Sequence, residues 1–184
     1  MNIQQLLIIS REMTSLAERY ELLNISVQTK ELSLEKIDNE LAEKMANTLS
    51  NNSEGIKAIS ELRIRLEILP PEIERDETEL KRLRAEFTAK YDSIQPSLHK
   101  CRLDIQARFA KSYNLFLKKH GISDENSDQL AHDFPFSVLP GPRCLHRIGW
   151  CITAKDLTEA ANCLNEFLSC VDSELKQQVN SSIR

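Results

Sequence analysis

The feature that most limits what this chain can become is a heptad seam running through residues 3–49. Leu6, Ile9, Met13, Leu16, Tyr20, Leu23, Val27, Lys30, Leu34, Ile37, Leu41, Lys44 and Thr48 recur at alternating spacings of three and four. On an α-helix that spacing lines the side chains along one stripe, which another helix has to cover. The segment therefore predicts a single coiled-coil helix roughly 70 Å long. Lys30 and Lys44 are the only charged residues in the stripe. They either fix the register of pairing or lie at the edge of the seam with their ammonium groups in water.

The run Ser50-Asn51-Asn52-Ser53-Glu54-Gly55 supplies turn chemistry directly after this helix. Gly55 tolerates positive φ, and Asn52 or Ser53 can cap a following helix. The expectation is a reversal near 50–55 and an antiparallel pair of helices. In the second arm, residues 62–68 alternate strictly between apolar and polar, which is a strand signal. The same residues belong to a 3-4 series, Ile59, Leu62, Leu66, Leu69, Ile73, Asp76, Leu80, Leu83 and Phe87, and its length favours a helix. The register survives Pro70-Pro71, so a kink is expected there, with a sharp reversal at that point as the competing topology. Beyond Phe87 the seam shifts through Tyr91, Ile94, Leu98, Cys101 and Ile105. Pro96 is expected to kink this helix or end it near residue 95. If the arms span 3–49 and 56–119, the second overruns the first by 17 residues, about 25 Å.

The C-terminal third has a different texture. Phe134-Pro135-Phe136-Ser137-Val138-Leu139-Pro140-Gly141-Pro142 holds three Pro and a Gly, and the expectation for 121–152 is a long Pro-rich loop. Thr153-Ala154-Lys155-Asp156 resembles a capping box for a last helix over about 154–179. That helix carries two adjacent stripes: Leu157, Ala161, Leu164, Leu168, Val171 and Leu175 in one, Ala160, Cys163, Phe167 and Cys170 in the other. A face this wide belongs in a multi-helix core. Trp150, the only Trp, is expected to anchor that core.

Composition agrees with an all-α reading: 28% charged residues, 5% aromatic and only 4 Gly among 184. The fold class expected is a long antiparallel coiled-coil hairpin over 1–102, with a small helical end unit over 103–184. The N-terminus lacks a basic segment and a long apolar run, which points to a soluble, intracellular and most simply cytoplasmic protein. The 5 Cys are then expected as reduced thiols.

Candidate sites are few. Net charge is −4, but residues 70–120 carry 11 basic and 8 acidic groups. Lys100, Arg102, Arg108 and Lys111 interleave with Phe109 and Phe116, a pattern that fits docking of an anionic partner. The bland alternative is a solvated basic face over core aromatics. Cys144, His146 and Cys151 carry zinc-ligand chemistry in a spacing that matches no common zinc motif, so burial is the reading preferred and no metal or other cofactor is expected. There is no Gly-rich phosphate loop, nucleophile elbow or H-E-x-x-H. The chain resembles coiled coils in general and no narrower family. The functional expectation is a non-enzymatic adaptor or scaffold subunit of a larger assembly, its partner a second copy or another helical protein. Leu7, Ile8 and Leu32, off the seam, are the residues that call for further helices. Binding of nucleic acid or another anionic surface through the basic 98–120 segment is the alternative. No small-molecule substrate is evident.

Overall fold

The first helix, α1 (Ile3–Asn47), opens on a reciprocal cap. The Gln5 N–H donates to the Asn2 side-chain oxygen at 2.9 Å, and the Asn2 N–H donates to the Gln5 side-chain oxygen at 3.0 Å. Two donors that a helix start leaves orphaned are thereby satisfied. The computed structural model describes residues 1–47, 53–119 and 140–182; the side chains of 106, 108–110, 112–119, 140–144, 146 and 172–182 lie outside the described set.

The second helix, α2 (Ser53–Lys119), is continuous and packs against α1. The reversal thus falls between Asn47 and Ser53, and residues 48–52 lie outside the described residues. Gly55, expected in the turn, stands in the first turn of α2. The ambiguous 62–68 segment is helical. The reversal at Pro70-Pro71 and the helix end near residue 95 do not occur. An interior proline costs about 3 kcal/mol. Ile94 and Leu98, which bracket Pro96, are both fully buried, and each such side chain contributes about 1.5–3 kcal/mol. Packing therefore offsets the lost backbone bond, while all three proline rings face solvent.

The chain divides into two compact units, Glu18–Leu83 on the one hand and Met1–Ala17 with Arg84–Arg184 on the other. In Glu18–Leu83 the two helices cover each other along the seam. Tyr20, Val27, Leu62 and Leu83 are buried. Leu23, Leu34, Ile37, Leu41, Leu66, Leu69, Ile73 and Leu80 are half-buried, because a two-helix seam shields its members from one side only. The antiparallel sense follows from the cross-arm contacts: Arg19 meets Glu79 at 3.5 Å, Lys30 meets Asp76 at 2.8 Å, and Arg63 approaches the Met45 sulfur at 4.0 Å.

In the other unit two further helices, α3 (Pro140–Thr153) and α4 (Leu157–Ser182), complete a deeper core. Leu6, Met13, Leu16, Phe87, Tyr91, Ile94, Leu98, Ile148 and Cys151 are buried there, and so are both stripes of α4 from Leu157 to Val171 apart from the half-buried Cys170. Asn165 of α4 bonds Ser10 and donates to Thr14 at 3.1 Å, so the buried Ser10 and the half-buried Thr14 on α1 both have a partner. Arg147 ties α3 to Glu159 of α4 at 2.8 Å, and Lys90 ties α2 to Glu12 of α1 at 2.7 Å.

Three expectations for this region are corrected. Residues 140–152, expected as part of a Pro-rich loop, are helical; residues 120–139 lie outside the described residues. Pro140 and Pro142 fall in the first turn, where no intrahelical N–H is needed. Trp150 is 68% exposed. The inward stripe of α3 is Ile148, Cys151 and Ile152, which turns position 150 outward. Finally, Thr153 does not cap the last helix; Asp156 does, accepting from the Glu159 N–H at 2.9 Å. Thr153 instead ends α3 in a Schellman turn. The Asp156 N–H reaches the Cys151 carbonyl at 2.9 Å, the Lys155 N–H reaches the Ile152 carbonyl at 3.2 Å, and Lys155 takes the left-handed conformation at φ 64°.

Chemical denaturation checks one core contact and one cap. Phe87→Ala, which empties a fully buried site, is expected to cost about 3–5 kcal/mol. Asp156→Ala, which removes a cap, is expected to cost about 1 kcal/mol.

Candidate functional site

Two lysines enter the α1 seam, and the structure separates their roles. Lys44 lies at the edge beside Glu40, 3.8 Å away and one helical turn back. Lys30 reaches across to α2, donating to Asp76 at 2.8 Å and approaching Glu72 at 3.2 Å. Asp76 is buried and also has Arg75 at 3.7 Å. The hydrogen bond from Lys30 holds the Asp76 carboxyl below its ordinary value against the opposing effect of desolvation. The same bond raises Lys30 above its ordinary value. Both charges sit at seam positions, so they face one another in this antiparallel register. A parallel pairing of identical chains would set Lys30 against Lys30.

With the seam occupied, what α1 and α2 present outward is the candidate interaction surface of this unit. Leu22 is 70% and Leu32 68% exposed, with Ile25 between them, at helical spacings of three and seven. They form a stripe on the side of α1 opposite the seam. Ile64 and Ile68, four apart, do the same on α2. Of the three off-seam residues singled out from sequence, Ile8 and Leu32 are exposed and Leu7 is half-buried. Leu22, Ile25, Ile64 and Ile68 were missed. Their signal is a second 3-4 series half a turn from the seam, masked by the stronger one.

The basic segment belongs to the other unit. Lys100 and Lys111 are exposed and Arg102 is half-buried. Arg108, Phe109 and Phe116 lie on α2 with side chains outside the described set. Arg102 borders a cavity of about 150 Å³ between α2 and α3, lined also by Tyr91, Gln95, Leu98, His99 and Leu145. Positions 91, 95, 98, 99 and 102 follow a 4-3-1-3 series along one face of α2. Sequence reading passed over Gln95 and His99, because α3 was read as loop and nothing else placed a wall opposite them.

Among the described residues no group of three His, Cys, Asp or Glu side chains is placed to hold a metal. The side chains of Cys144 and His146 lie outside that set. Burial pushes the Cys101 and Cys151 thiols up, with Asp104 acting the same way on the first and Asp156 and Glu159 on the second. Thiols held protonated are poor nucleophiles and poor metal ligands. Also among the described residues, no helix is long and apolar enough to cross a membrane.

No family model, curated protein or solved structure matches the chain.

The Lys30–Asp76 pair gives a signed pH dependence. A lowered carboxyl contributes stability above its ordinary value of 3.8 and loses it as pH falls through the folded value. A raised lysine contributes below 10.5 and loses it as pH rises through the folded value. Lys30→Met should therefore lower the melting temperature clearly at pH 7, and the difference from wild type should shrink as pH falls below 3.8 and through the folded value of Asp76. At pH 7 the double variant Lys30→Met/Asp76→Leu should melt above Lys30→Met, which leaves the buried Asp76 carboxylate with the more distant Arg75 at 3.7 Å in place of Lys30.

Proposed function

We propose that this chain is a non-enzymatic scaffold or adaptor subunit that assembles with further copies of itself through the outward faces of the α1–α2 hairpin. The observation that carries the reading is the exposure of Leu22, Ile25 and Leu32 on α1 and of Ile64 and Ile68 on α2. Single exposed apolar residues are ordinary on any surface. A run at helical spacing is a stripe that another helix can cover. The seam cannot serve, because α1 and α2 use it within one chain. A second copy fits because each chain brings two such stripes, so copies can cover one another with no further protein.

The test is solution mass by light scattering on the full chain, wild type beside Leu22→Glu/Leu32→Glu. Substitutions at exposed positions change folding stability by about 0.5 kcal/mol or less, so the variant should keep its helicity. The expected outcome is an oligomer for the wild type and a monomer for the variant. A monomeric wild type at tens of micromolar, or an oligomer unaffected by the two glutamates, overturns the reading.

A further inference from the structure

We propose that two copies of the chain pair back to back through α1, antiparallel about a two-fold axis at the level of Val27, so that Glu18 of each copy meets Lys36 of the other. The pairing rests on the self-assembly through outward stripes proposed above, and adds to it the helix used, its direction and its register.

On the face of α1 turned away from α2, Glu18, Leu22, Ile25, Thr29, Leu32 and Lys36 follow one another at spacings of four, three, four, three and four, and all are exposed. This is a heptad stripe in its own right, covering about 27 Å of helix. Its middle is apolar apart from Thr29, and its two ends carry opposite charge. Arg19 and Lys30, which lean toward α2, are matched there by Glu79 and Asp76. Glu18 and Lys36 take part in no ion pair among the described residues.

Charge complementarity selects the partner and the direction. A parallel pair of identical helices sets each residue against itself, so Glu18 would face Glu18 and Lys36 would face Lys36. An antiparallel pair centred on Val27 sets Glu18 against Lys36 at both ends, with Leu22 against Leu32 and Ile25 against Thr29 between them. Sliding this pair by one heptad breaks the match. In one direction Leu32 falls on Ser15 and Glu18 on Thr29; in the other Lys36 falls on Ile25 and Leu22 on Asn39. The stripe is thus complementary to its own reverse, which is what a closed two-fold contact requires. Glu21 and Glu35 meet across the rim of this pair, where they stay in water and repel weakly. Glu18 and Lys36 lie in the stripe itself, where pairing excludes part of the water and strengthens their attraction.

The experiment is sedimentation equilibrium of the full chain at low salt, with wild type beside Glu18→Lys, Lys36→Glu and the double variant Glu18→Lys/Lys36→Glu. Each single variant turns two attractions per dimer into two repulsions and should weaken dimerisation about tenfold. The double variant exchanges the charges and should return close to wild type. The single variants move net charge in opposite directions, so general repulsion between chains cannot weaken both. Single variants that associate as tightly as wild type overturn the proposal, and so does a double variant no tighter than either single one. Cross-linking reads the geometry directly. An equimolar mixture of Leu22→Cys and Leu32→Cys chains, oxidised with glutathione disulfide and mapped by peptide mass spectrometry, should join position 22 of one chain to position 32 of the other. Links from 22 to 22 and from 32 to 32 would mark a parallel pair and overturn the proposal. A wild type that stays monomeric at tens of micromolar overturns this pairing and the assembly reading together. An oligomer that Leu22→Glu/Leu32→Glu disperses but Glu18→Lys leaves intact overturns the pairing alone. Every substituted position is exposed, so far-UV helicity equal to wild type is expected in each variant.

Discussion

The hairpin turns on one cross-arm ion pair inside a mostly apolar seam. Lys30 and Asp76 each occupy a position that the heptad pattern reserves for an aliphatic side chain, and each would be costly there alone. In the antiparallel register observed they meet each other at 2.8 Å, and a slip of one heptad would set each charge against Leu or Ile. The aliphatic members of the seam supply the driving force for pairing but discriminate poorly among registers. Fixing register is the best attested use of polar groups in coiled-coil cores, where a paired charge commonly adds little net stability.

The two units solve the burial problem differently. In Glu18–Leu83 two helices have only each other, and most of the seam stays half-buried. In the other unit α1 is covered by α2 and by α4, the latter through Asn165 held by Ser10 and Thr14. Fully buried large side chains such as Phe87, Phe167 and Met13 concentrate there. Stability is thus expected to rest mostly with the unit formed by Met1–Ala17 and Arg84–Arg184. The hairpin unit keeps apolar side chains on its outer faces and so has surface left for partners.

Much of this was legible in the chain. The stripe from Leu6 to Leu41, the second series from Ile59 to Phe87, and the paired stripes of the last helix all report burial directly, because periodicity is a local property that packing then uses. Failures came where a local rule met a tertiary one. Pro96 breaks an isolated helix, yet Ile94 and Leu98 on either side hold this one. Pro140 and Pro142 read as loop because nothing in the sequence shows that they fall within a first helical turn. Thr153 looks like the cap of the last helix with Asp156 as its box partner, and only the Schellman turn at Lys155 shows that Asp156 is the cap. Trp150 looks like an anchor until the inward face of α3 is known.

What the sequence determined by itself is the helical class, the two-arm arrangement and the inward face of each arm. Those follow from spacing, and spacing is written in the chain. What only the tertiary structure decided is which inward charge meets which, which apolar residues are left outside, and which side chains share a cavity. Lys30 carries no mark of Asp76, nor Gln95 of Leu145. Their association depends on where separate segments come to lie in space, and that is fixed by the packing of the whole chain rather than by any stretch of it.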